Sequence, residues 1–323
     1  MPAHLGLLPA DLLQTLSISP NEHGHVPGSF IRLPHPRTGL PSLFLPSDTT
    51  AHGSSILELQ QVTPPNARSW FVGNEVVSDG KLLFLVPIDP AFLLIHILKT
   101  TQPIEIPFRT ADDILEEAAT KLETLSQSKS KDPSTHISAS DVTCFASLEC
   151  TKLALNRICD VKEISPELIV YRFSLSKVVE YLRKKVTRLT SSDIVDGSRT
   201  LNRHLAKDGL MEDGHENLLE LARVKLGCNL LSEYLSPDIL SALISSYDFT
   251  QLDEHLKKLE EEKMCMETPA AGGKRAKGST ASENTTGTGA KRKAAKGSQG
   301  VEKLKKANIN GMAKLTSFFT KKP

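Results

Sequence analysis

At Ile88–Asp89–Pro90 the chain changes its hydrophobic period, and that break separates a region that reads as sheet from one that reads as helix. Before it, residues 11–87 carry short apolar runs bounded by Pro, Gly, Asn or Asp: "GSFIRL" (28–33), "SLFL" (42–45), "SILELQQV" (55–62), "RSWFV" (68–72), "NEVVS" (74–78) and "KLLFLV" (81–86). Short strands at regular spacing predict a small sandwich or barrel. "SDG" before Lys81 predicts a tight hairpin turn. At the break, Asp89 is placed to cap the free amides of a helix start, with Pro90 in the first helical position, where its missing N–H costs nothing. The run that follows, "AFLLIHIL", is apolar almost all round, so this helix is expected to be buried.

From Thr110 onward the pattern predicts helices: 110–125, roughly 142–159, a short turn at 166–170, then 174–189, 215–235, 236–247 and 250–264. The clearest is "SLSKVVEYLRKKVTRL", in which Leu175, Val178, Val179, Leu182, Val186 and Leu189 share one helical face and Lys177, Lys184, Lys185 and Arg188 fall opposite. Ser236 is read as the cap of a helix with Pro237 at its first position. Residues 191–214, rich in Ser, Asp and Gly, read as a long loop or insertion.

The end of the chain differs again. From Glu267 to Ser317 there is no Phe, Tyr or Trp. A segment so poor in large apolar groups cannot offset the entropy of ordering, so it is expected to be disordered. Residues 267–323 hold 13 basic and 3 acidic residues, a net of +10; the rest holds 26 basic and 35 acidic, a net of −9. The overall charge of +1 therefore hides a basic tail on a mildly acidic body. Within the tail, Lys274 and Arg275 precede Lys291, Arg292 and Lys293, with fifteen residues between Arg275 and Lys291. That arrangement resembles a bipartite nuclear localisation signal and predicts a nuclear protein. The five cysteines show no CxxC pair, which favours a reducing compartment. No secretory signal is expected from "MPAHLGLLPADLL", and the stretch Ala91–Leu98 is too short to span a bilayer.

Few residues suggest chemistry. The chain has no glycine-rich phosphate loop, no HExxH and no GxSxG. His23 and His25 form a histidine pair without a third ligand nearby, and an exposed loop accounts for them; no metal and no cofactor are expected. Asp112, Asp113, Glu116 and Glu117 crowd a helix N-terminus, where acids favour the helix dipole. The Lys177, Lys184, Lys185 and Arg188 face reads either as a nucleic-acid contact or as a solvated helix surface. In the terminal "GMAKLTSFFTKKP", Met312, Leu315 and Phe318 are three apart and Phe319 follows. One 3₁₀ turn would stack them into an apolar plug for a partner's groove. The pattern resembles the sliding-clamp-binding box, with Met312 where Gln is usual.

Further residues carry a family resemblance. Ser69–Trp70–Phe71, the Val-x-x-x-Gly-x-Leu-x-Phe hairpin ending at Phe84, and the Pro-x-Asp-Pro-x-Phe-Leu-Leu run from Pro87 to Leu94 resemble the non-catalytic B subunits of eukaryotic type 2 ribonuclease H. "LSKVVEYLRKKV" and "LLSEYLSPDILSAL" resemble two further helical stretches of that family. The resemblance spans roughly residues 28–247 and the tail. It implies an α+β chain: a small antiparallel β-barrel shared with a partner (1–100), an all-α winged-helix-like domain (101–265), a disordered basic linker (266–311) and a clamp-binding motif (312–319). It implies a heterotrimer with the catalytic A subunit and the C subunit of that enzyme, which degrades RNA in RNA–DNA hybrids and removes ribonucleotides embedded in DNA. It also implies docking on proliferating cell nuclear antigen, the sliding clamp. This chain would be a structural component without catalytic residues, meeting its partners through Trp70, Phe71, Phe84, Asp89, Pro90 and Phe92. The alternative is a stand-alone nuclear DNA-binding adaptor that docks on the same clamp.

Overall fold

Among the described residues the chain opens on seven short strands: Gly6–Leu7 (β1), Ile31–Pro34 (β2), Pro41–Thr49 (β3), Gly53–Val62 (β4), Trp70–Val72 (β5), Glu75–Val77 (β6) and Leu82–Ile88 (β7). The computed structural model describes residues 4–267, apart from 18–28, 50–52, 67, 79, 102–106, 130–131, 133–134, 167, 192–193, 195–196 and 212–213. Five strands form one sheet in the order β1-β7-β4-β3-β2, antiparallel except where β1 runs parallel to β7. Alternation divides the sheet into two faces. Leu45 lies opposite Leu57 on one face, which packs against Leu12 of the helix Ala10–Ser17 (α1). Phe44 lies opposite Glu58 on the other, and Ile56 opposite Ile88; Phe44, Ile56 and Ile88 join the main core.

That core continues into the helices Pro90–Thr101 (α2), Ala111–Lys129 (α3), Ala139–Ser147 (α4) and Glu149–Ile158 (α5). Beyond them come a hairpin, Cys159–Ser165 (β8) with Leu168–Phe173 (β9), and the helices Leu175–Leu189 (α6), Arg199–Lys207 (α7), Glu216–Leu231 (α8), Pro237–Ser245 (α9) and Thr250–Glu267 (α10). Leu93, Leu94, Ile97 and Leu98 of α2 are each wholly buried, as the all-round apolar pattern requires. Val178, Leu182 and Val186 face inward from α6, with Cys228 and Leu231 of α8 and Ile239 and Leu243 of α9 in the same cluster. Sheet and helices therefore share one interior, and Met1–Thr268 is one compact unit.

Four local expectations change. Residues 159–173 form a two-stranded hairpin where a helix end and a short turn are predicted: "CDVKEIS" and "LIVYRF" are rich in β-branched residues and meet across Pro166. The helix predicted over 142–159 is two helices, because Leu148 sits at φ −65°, ψ 136° between α4 and α5. The 191–214 stretch holds α7, whose start is capped by the Ser198 hydroxyl accepting from Leu201 N–H at 3.5 Å. "SDG" does not join paired strands: the tight turn is Gly73–Asn74, with Gly73 at φ +59°, and β6 pairs with β5 alone among the described residues.

Candidate partner-docking site

The hairpin β5–β6 leaves the sheet and pairs with no other strand among the described residues. Trp70 anchors its base: the ring is half-buried and Nε1 donates to the Lys81 carbonyl at 2.9 Å. Gly80 allows this close approach, since a Cβ there would lie 2.5 Å from the Arg68 carbonyl oxygen. Beyond the anchor the side chains face solvent, with Phe71 80 % exposed and Val76, its cross-strand partner, 59 % exposed. Val62 is also 54 % exposed and lies opposite Leu82, where the sheet ends. β7 is apolar as well. It reads Leu82-Leu83-Phe84-Leu85-Val86, apolar on both faces, a pattern that belongs to strands covered on both sides. Yet every one of those five side chains is only partly buried, and among the described residues β1 covers the outer edge of β7 at Leu83 and Phe84 alone. An apolar hairpin beside a half-covered apolar strand offers a second polypeptide both backbone pairing and a hydrophobic face.

Asp89, at the junction of sheet and helices, has an internal role. Its Oδ1 accepts from the Ala91 N–H at 3.0 Å and so caps α2, with Pro90 following in the first turn. Its Oδ2 accepts from the Tyr181 hydroxyl and pairs with Lys185 Nζ, both on α6, while Arg157 of α5 lies 3.9 Å from Oδ1. Burial alone would raise the Asp89 carboxyl, but hydrogen bonds from Lys185, Tyr181 and the Ala91 amide outweigh it and hold the group below its ordinary range. Burial and the neighbouring Asp89 push the Tyr181 hydroxyl up, so it stays protonated as the donor. Glu117 on α3 is also lowered, to about 2, by hydrogen bonds from Lys121 and Arg109. Both carboxyls are more acidic in the folded chain than in the unfolded one, so their contribution is present above about pH 4.5 and is lost as pH falls through about 4 toward 2. The urea midpoint is therefore expected to drop between about pH 5 and pH 3, and Glu117→Gln to flatten that drop. An equal pH profile for Glu117→Gln would contradict this role for the carboxylate.

Phe92 is 7 % exposed and stacks on Tyr234 with ring centroids 5.5 Å apart, which makes it a core residue of this chain. Close by, buried Glu58 lies 3.5 Å from His35 Nε2 and accepts from Gln60 Nε2 at 2.8 Å and the Tyr234 hydroxyl at 3.3 Å. No pattern along the sequence announces this polar cluster, because Glu58 and Tyr234 stand 176 residues apart. Ser236 holds the cap position of α9 without a capping bond; its hydroxyl accepts from Lys99 Nζ at 3.2 Å instead.

The four cations proposed as a nucleic-acid face are not equivalent. Lys185 is three-quarters buried against Asp89. Lys184 lies 2.8 Å and Lys177 3.8 Å from Glu180, one turn away on the same helix. Arg188 is exposed. Among the described residues no three His, Cys, Asp or Glu side chains converge to hold a metal ion. His23, His25, the basic clusters at Lys274, Arg275, Lys291, Arg292 and Lys293, and the motif Met312, Leu315, Phe318 and Phe319 lie outside the described residues.

A strand-built N-terminal region, whose β5–β6 hairpin pairs with no other strand among the described residues, is followed by a helical region that carries a two-stranded hairpin. Residues 18–89 match the Ydr279p protein triple barrel domain, and residues 92–244 match the wHTH domain of the Ydr279p protein family (RNase H2 complex component). The chain belongs to this family of RNase H2 complex components. It is 27 % identical over 311 residues to the ribonuclease H2 B subunit of Schizosaccharomyces pombe, covering 91 % of this chain and 94 % of that one. It is 28 % identical over 220 residues to the ribonuclease H2 B subunit of Xenopus tropicalis, covering 65 % of this chain and 61 % of that one. For the Xenopus laevis B subunit the values are 27 % over 178 residues, with 53 % and 50 % covered, so the matched segments span about half to three fifths of the two frog relatives.

Proposed function

We propose that this chain is the non-catalytic structural component of a type 2 ribonuclease H. In this reading it pairs with the C subunit through its N-terminal strands and, with it, holds the catalytic A subunit. The assembled enzyme would degrade RNA in RNA–DNA hybrids and excise ribonucleotides embedded in DNA. The observation that carries the reading is the apolar β5–β6 hairpin, with Phe71 80 % exposed, standing beside a strand that is apolar on both faces and only half-covered. Large exposed apolar groups of this kind mark interfaces, and membership in a family of complex components gives the partner its class. The test is native mass spectrometry of the tagged chain purified from its own cells. Co-purification with two further ribonuclease subunits in equal amounts is expected; a chain recovered alone, or with unrelated partners, contradicts the reading.

The basic clusters at Lys274, Arg275, Lys291, Arg292 and Lys293 support a nuclear location. The terminal Met312, Leu315, Phe318 and Phe319 support a tether to proliferating cell nuclear antigen. A peptide of residues 308–323 is expected to bind the clamp, and Phe318→Ala with Phe319→Ala to abolish binding. Loss of two buried rings removes about 3 to 5 kcal/mol, enough to end a micromolar interaction. Isothermal titration showing equal affinity for both peptides would make the aromatic pair incidental.

A further inference from the structure

Helix α7 has a basic outer stripe. Leu205 is buried on α7 and packs with Leu210, Ala222, Phe249 and Leu252, while Leu201 is half-buried one turn earlier. These two leucines fix the roll of the helix. Arg199, Arg203 and Lys207 recur at every fourth position and are all exposed, and His204 is exposed beside them. No acid occurs within Arg199–Lys207. Among the described residues none of the three cations has an ion-pair partner, in contrast to Lys177, Lys184 and Lys185 of α6.

This arrangement is unfavourable for the helix by itself. Like charges four residues apart repel one another along a helix and weaken it. Arg199 also stands in the first turn, where the macrodipole favours acids. A polyanion seated on the stripe removes both costs. The three side chains span about 12 Å of helix, the axial rise of three to four phosphates along one strand of a duplex. Two of the three are arginines, whose planar forks fit phosphate oxygens. We propose that α7 contacts the phosphate backbone of the RNA–DNA hybrid on which the assembly acts, an inference that rests on the function proposed above. It places the main nucleic-acid contact of the helical region on Arg199, Arg203 and Lys207 and not on Lys177, Lys184 and Lys185 of α6, which face Glu180 or Asp89. The contact is with the backbone, so it carries affinity and no base preference.

The test compares the full chain with its Arg199→Ala/Arg203→Ala/Lys207→Ala variant. Fluorescence anisotropy follows binding to a short RNA–DNA hybrid across a range of KCl concentrations. Loss of three phosphate contacts is expected to make the slope of log K against log salt shallower by about 2 to 3, with affinity at about 0.1 M salt falling tenfold or more. The basic tail is common to both proteins and cancels in the difference. Arg199→Lys/Arg203→Lys is expected to keep the slope, which separates lost charge from lost folding. An unchanged slope in the triple alanine variant, or loss of binding in the charge-preserving variant, overturns the proposal. Assembly with partner subunits is scored separately by native mass spectrometry. Normal assembly with an unchanged slope removes only the α7 contact; failed assembly removes the functional reading and leaves the slope to decide α7.

Discussion

Asp89→Ala is expected to cost this chain about 3 to 5 kcal/mol of folding stability, the range found when one partner of a buried ion pair is removed. The Asp89 side chain is 10 % exposed and ties two helices together: it caps α2 through the Ala91 amide, and receives Tyr181 and Lys185 from α6. Its removal leaves the Lys185 ammonium, only 25 % exposed, without its counter-charge, and leaves the half-buried Tyr181 hydroxyl without its acceptor. Loss of the cap adds about 1 kcal/mol. Asp89→Asn keeps an acceptor for the cap but not the charge, and should fall between the two. Urea denaturation measures the effect. The combination with Lys185→Met separates its parts, since it removes the stranded cation and is expected to recover part of the loss. Equal midpoints for wild type and Asp89→Ala would show that the pair contributes nothing.

Phe71→Asp combined with Val76→Asp should do the reverse, preserving the fold and destroying assembly. Both side chains are mostly in solvent in this chain alone, so their replacement removes almost no internal packing. Against a partner chain they are candidates for the buried centre of an interface, where an aromatic anchor is worth about 2 to 4 kcal/mol. Two carboxylates placed there add an uncompensated desolvation cost. Unchanged circular dichroism and thermal midpoint, together with loss of co-purifying subunits, is the predicted pair of results. Retained assembly would move the interface elsewhere.

The contrast between these two positions shows what is legible along the chain and what is not. Local signals hold: the apolar run in Leu82–Ile88 reads as strand, the Asp89–Pro90 pair reads as a helix start, and the all-round apolar run after it reads as a buried helix. Contacts between distant segments are not legible. Asp89 sits among the expected interface residues because it belongs to a recognisable motif, yet its partner Tyr181 is 92 residues away. Lys185 shares the polar side of α6 with Lys184 by periodicity, but Asp89 draws it inward, a fact that helical spacing does not contain. Phe71 and Phe92 look alike as large aromatics; packing leaves the first in solvent and buries the second against Tyr234. The hairpin at Cys159–Phe173 is obscured by the Pro166 turn, and α7 by the Ser-, Asp- and Gly-rich segments on either side of it. In α7 the Leu201–Leu205 spacing and the Ser198 cap are the available signals.

Cleavage of a labelled RNA–DNA hybrid decides whether, as proposed, this chain supports an enzyme whose chemistry resides in another polypeptide. No cleavage above background is expected from the purified chain at any concentration, and robust cleavage once it is co-expressed with the proposed A and C subunits. Hydrolysis of the hybrid by the isolated chain, at a rate comparable to that of the assembly, would contradict the proposal.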